Sequence, residues 1–81
     1  TGENRRAAPT ARYAIMNVIV NGEARELSPG MTIADLIELV GANARYVAVE
    51  VNLAVVPRSQ HASLRIADGD QIELVTLVGG G

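Results

Sequence analysis

Two residues early in the patterned part of the chain, Asn21-Gly22, restrict its geometry more than any others. They separate Met16-Asn17-Val18-Ile19-Val20 from Glu23–Leu27, two stretches that alternate apolar and mixed positions. A two-residue hairpin turn of type I′ needs positive φ at both central positions, and Asn followed by Gly meets that need at the lowest steric cost. Ser28-Pro29-Gly30 then ends the second strand, because proline cannot donate to a ladder and glycine suits a turn. A lone hairpin is marginal in water, so its apolar face must find a cover.

That cover is readable in the next segment. Thr32 stands three residues before Asp35, a start signal in which each side chain can satisfy the other residue's backbone N–H. Ile33, Leu36, Ile37 and Val40 follow at the i, i+3, i+4, i+7 spacing of one helical face. Gly41 supplies a left-handed stop, and together these predict a helix over 33–40. Tyr46–Asn52 alternates with β-branched residues and predicts a strand. Residues 53–63, with Pro57, read as a loop holding a single helical turn, and Leu64-Arg65-Ile66 as a short strand. Asp68-Gly69-Asp70 predicts a turn and Gln71–Val78 the last strand.

The order is strand, strand, helix, strand, short strand, strand. It predicts an α+β chain of β-grasp, or ubiquitin-like, type: a mixed sheet of four to five strands with one main helix on one face. The helical crossover makes the first and last strands parallel neighbours at the sheet centre. Ile33, Leu36, Ile37 and Val40 would then pack on Val18, Val20, Val47, Val49, Val51, Ile72 and Leu74. The domain spans 16–78. Residues 1–15 read as a flexible leader or tag remnant, and 79–81 as a flexible tail.

At 81 residues, with no Cys, Phe or Trp, this is one small domain with an aliphatic core and no disulfide or thiolate metal site. Seven arginines against nine acids give a net charge of −2, which lacks the basic excess a phosphate backbone attracts. No run approaches the ~18 apolar residues of a membrane span. His61 is the single histidine and reads as an exposed loop residue. Asp68 and Asp70 provide too few ligands for a calcium loop, so no metal site is expected. No acid, base and nucleophile come together in the pattern, so the chemistry must lie elsewhere.

It lies at the end of the chain. At an average glycine content near 7%, three consecutive glycines at one given place arise by chance roughly three times in ten thousand, yet the sequence ends Gly79-Gly80-Gly81. A carboxylate that must enter a narrow enzyme channel needs a tail without side chains and with wide φ/ψ freedom. The Gly81 carboxylate, with Gly80 before it and Gly79 adding reach, is therefore the candidate reactive group. Its own leaving group is poor, and activation as an acyl-adenylate supplies a better one; a sulfur or an amine nucleophile could follow. If Ile72 and Leu74 face the helix, alternation turns Val75 and Leu77 to the opposite face, with Ile19 pointing the same way. Those aliphatics beside the tail, continued by Val78, predict a partner-docking patch. Arg58 is a candidate to meet a partner carboxylate or to cap its own loop.

Asn52 with Val55-Val56-Pro57-Arg58, Asp68-Gly69-Asp70-Gln71-Ile72-Glu73, and Val78 with the three glycines resemble the sulfur-carrier family of thiamine biosynthesis, ThiS. The resemblance runs from Met16 to Gly81. It implies a cytoplasmic protein co-substrate that is not itself an enzyme and binds no cofactor. An E1-like adenylating enzyme (ThiF-like) would consume ATP to activate Gly81. Cysteine-derived sulfur would convert that end to a thiocarboxylate, and thiazole synthase (ThiG-like) would receive the sulfur. The small subunit of molybdopterin synthase shares tail and chemistry but approaches its glycines through a proline, where this chain has Leu77-Val78. A ubiquitin-like protein modifier and an interaction module with an inert tail also fit the pattern. The sequence holds no lysine on which a modifier could build chains of itself.

Overall fold

A computed structural model describes residues 15–77 of the chain. Five strands and one helix follow in order: β1 (Met16–Val20), β2 (Glu23–Leu27), α1 (Ile33–Leu39), β3 (Val47–Val51), β4 (Ala54–Val56) and β5 (Gln71–Thr76). Single 3₁₀ turns occupy Ala44–Tyr46 and Arg58–Gln60. The sheet order is β2-β1-β5-β3-β4. β1 and β5 are parallel, and the other neighbours are antiparallel. This is the β-grasp, with β5 as the middle strand. No helix among the described residues is long and apolar enough to cross a membrane.

Local chemistry accounts for the first half. Asn21 and Gly22 take φ of 51° and 85°, as the tight turn requires. Thr32 Oγ1 accepts from the Asp35 N–H at 3.1 Å while Asp35 Oδ2 accepts from the Thr32 N–H at 2.9 Å, closing the capping box. The remaining first-turn donors are also used: Ile33 N–H reaches the Leu64 carbonyl at 3.0 Å and Ala34 N–H the His61 carbonyl at 2.7 Å. The helix ends at Leu39, one residue before the predicted limit, with Val40 as its cap and Gly41 at φ 78° behind it.

Ile33, Leu36 and Ile37 are buried against Val18, Val20, Val47, Val49 and Ile72, as the two periodicities predict. Val40, Val51 and Leu74 are only partly buried, and Met16, Leu27, Val56 and Ile66 join the core.

Three expectations need correction. Residues 54–56 form β4, because Asn52 (φ 52°) and Leu53 (φ 71°) make a second left-handed turn without any glycine. Leu64-Arg65-Ile66 is not a strand; Arg65 makes one isolated bridge to Thr32. His61 is buried, with 6% of its surface exposed. Its Nε2 lies 3.1 Å from the Val56 carbonyl, which has no proton to give, so the ring donates. The single histidine is thus a pin beneath β4.

Candidate functional site

The middle strand carries the tail, so its two ends define the site. At its start, β5 is held by side chains from the segments around it. Asp70 Oδ2 accepts from the Ala67 N–H at 2.8 Å and Asp70 Oδ1 from Asn52 Nδ2 at 2.9 Å. Asn52 Oδ1 accepts from the Gln71 N–H at 2.9 Å, and the Asn52 N–H reaches the Gln71 carbonyl at 2.7 Å. Asp68 Oδ1 accepts from the Asn17 N–H at 2.7 Å, while the Gly69 N–H returns to the Asn17 carbonyl at 2.7 Å. Both carboxylates therefore serve backbone and amide donors. No group of three or more His, Asp or Glu capable of holding a metal occurs among the described residues.

Six residues later, roughly 20 Å along an extended strand, the surroundings change. Register pairs Ala48 with Val75 and Val47 with Thr76, and the Leu77 N–H donates to the Tyr46 carbonyl. Residues directly opposite in an antiparallel pair share a face, so Tyr46, Ala48, Val75 and Leu77 gather on the sheet face away from α1. Tyr46 is 49% exposed, and Val75 and Leu77 are each 53% exposed. Large apolar side chains gathered and exposed in this way make this end of β5 the candidate interaction surface.

Ile19 shares that face and is also exposed, but its partner on β5 is Gln71, four residues before Val75. That offset is roughly 13 Å, so the structure brings Val75 and Leu77 together and leaves Ile19 beside the clasped start of β5. Tyr46 takes its place. Sequence reasoning passed over Tyr46 because alternation assigns a face but not a position along it. Arg58 is exposed and opens the 3₁₀ turn after β4, two strands across from β5. Val78, Gly79, Gly80 and Gly81 lie outside the described residues.

The β1 side of β5 holds another feature invisible in the sequence. Asn21 Oδ1 accepts from the Leu74 N–H at 2.7 Å, and Asn21 Nδ2 donates to the Leu74 carbonyl at 3.2 Å. The turn residue thereby continues the pairing of β5 after β1 has ended.

Residues 18–81 match the ThiS family. The sulfur carrier protein ThiS of Escherichia coli is 33% identical over 66 residues, which cover 82% of this chain and 100% of that protein. The chain belongs to the ThiS family. The crystal structure of the thiamine biosynthesis protein ThiS from Geobacter metallireducens aligns with a TM-score of 0.70 at 33% identity, covering 82% of this chain and 100% of that one. A thiazole synthase of Paramagnetospirillum magneticum is 44% identical over 66 residues, 82% of this chain but 20% of that protein. This ThiS-family chain thus spans about a fifth of the length of that relative. In this chain Asn52, Asp68 and Asp70 are scaffold: they form the clasp that launches β5.

Proposed function

We propose that this chain is a sulfur carrier of thiamine biosynthesis, loaded at the Gly81 carboxylate and acted on by partner enzymes. The observation that carries the reading is the bare, apolar end of the central strand, immediately upstream of three terminal glycines. Five residues follow β5 and, fully extended, span at most about 18 Å. That length can take a carboxylate into a channel while the folded domain stays outside.

The chemistry runs in two steps. A Gly81 carboxylate oxygen attacks the α-phosphorus of ATP in the E1-like enzyme; the α–β phosphoanhydride bond breaks and pyrophosphate leaves. A hydrosulfide equivalent derived from cysteine then attacks the acyl carbon, the bond to AMP breaks, and the thiocarboxylate remains. The carrier supplies a presented carboxylate and a docking face, and its partners supply the acids, bases and nucleotide site. Val75 and Leu77, joined by Tyr46 and Ala48, form that face. Ile19 and Arg58 contribute only to a partner broad enough to cover several strands. The cytoplasm, where these enzymes work, is the proposed location.

Thiazole synthase is favoured as acceptor over a pterin-modifying enzyme by one observation: a protein of that name contains a segment 44% identical to this chain. Joining carrier and acceptor in one polypeptide raises their effective concentration, an advantage only for proteins that meet. The test is intact mass after incubation with ATP, sulfide and the E1-like enzyme. The expected result is a gain equal to exchanging one oxygen for sulfur, localised to Gly81. No gain, with the enzyme shown active on its own carrier, contradicts the reading.

A further inference from the structure

The side of β5 that faces β1 runs out of partners before the strand itself ends. The Leu77 N–H donates to Tyr46 and the Asn52 N–H to Gln71, with those residues directly opposite. Odd-numbered residues of β5 therefore aim their N–H and C=O at β3, and even-numbered ones aim theirs at β1. Ile72 is served there: its carbonyl accepts from the Asn21 N–H at 2.9 Å. Leu74 is served by the Asn21 carboxamide. The next even residue, Thr76, points its N–H and C=O past Asn21, and neither group has a partner among the described residues. Beside it lies a groove of about 380 Å³ whose walls include Val20, Asn21, Arg25, Val40 and Leu74. Folded proteins usually blunt such an open edge with lysine, proline or a covering loop. Among the described residues, none of these stands beside Thr76.

The geometry points to β-strand addition here: the activating enzyme lays an extended segment of its own chain beside Thr76, in the lane that β1 vacates at Asn21. This rests on the carrier reading above and names how that same end of β5 is gripped. The occupant follows from the tail. Gly79, Gly80 and Gly81 offer no side chain to recognise, so an enzyme that must aim their carboxylate at ATP has only main-chain groups to hold. Thr76 carries the open main-chain pair closest to them along β5. Main-chain ladders of this kind give affinity without reading side chains.

The test follows residue-resolved amide exchange by NMR in the carrier, free and bound to the activating enzyme. In the free carrier the Thr76 amide should exchange fast while Val75 and Leu77, bonded to β3, exchange slowly. In the complex Thr76 should slow at least tenfold. Thr76→Pro provides a second arm. It deletes an N–H that the described fold does not use, and proline is accepted at such an edge. Its melting temperature should match the parent and its affinity for the enzyme should fall at least tenfold. A Thr76 amide already slow in the free carrier, or still fast in the complex, overturns the proposal, as does a folded Thr76→Pro chain that binds like the parent. If that variant does not fold, the exchange arm decides. A parent chain that never becomes thiocarboxylated removes the carrier reading and this inference together. Thiocarboxylation with an unprotected Thr76 removes only this inference.

Discussion

At its start β5 is tied by Asp68, Asp70 and Asn52, whose side chains and backbone close on Asn17, Ala67 and Gln71. At its other end the same strand, still paired to β3, shows solvent Tyr46, Val75 and Leu77 and leaves the main chain of Thr76 open toward β1. Three polar side chains tie the start of the strand, and large apolar ones are exposed at its other end. The difference separates two tasks a carrier must combine. One end fixes the direction and register of the strand; the other, in the function proposed above, is the end that partner enzymes take hold of.

Perturbing each end should therefore give opposite phenotypes. The largest effect belongs to the tail: removing Gly80 and Gly81 should abolish sulfur loading, read by intact mass, and leave the melting temperature unchanged. Next comes the clasp. Asp70→Ala removes two hydrogen bonds to a carboxylate, and such bonds are worth about 1.5–3 kcal/mol each when buried and less at a partly exposed site. A net loss of about 2 kcal/mol should lower the melting temperature by about 10 °C, while the folded fraction still loads sulfur at the parent rate. If Asp70→Ala abolished loading in a folded chain, the division between the ends would fail.

Leu77→Asp should invert that pattern. Its stability should stay near the parent's, and its affinity for the activating enzyme, followed by titration calorimetry, should fall at least about tenfold, equivalent to about 1.4 kcal/mol. Ile19→Asp, on the same face beside the clasp, should change affinity much less. Equal losses for the two would restore Ile19 to the docking patch. The smallest effect is the control at neither end: Thr32→Ala breaks the capping box and should cost about 1 kcal/mol, seen as a modest drop in thermal midpoint with loading intact.

Much of this was legible in residues whose conformation is set locally. Asn21-Gly22 specified its turn, Thr32 and Asp35 the helix start, and the apolar stripe the helix face. β4 was not legible, because its turn uses Leu53 in a conformation that favours glycine and only three residues follow before Pro57. His61 was misread because its burial depends on Val56 and α1, which the fold brings to it. The exposed apolar face was half legible: alternation put Val75 and Leu77 outside. The stagger between β1 and β5, which no local pattern encodes, decided that Tyr46 and not Ile19 lies beside them.

If the tail end of β5 delivers sulfur for thiazole formation, the choice of acceptor should show it. The direct measurement is sulfur transfer from the thiocarboxylated chain, mixed in parallel with thiazole synthase and with the large subunit of molybdopterin synthase, each supplied with its acceptor substrate. Intact mass should show return to the carboxylate with thiazole synthase alone. Return with the pterin enzyme alone, or a thiocarboxylate that persists with both, would contradict that delivery.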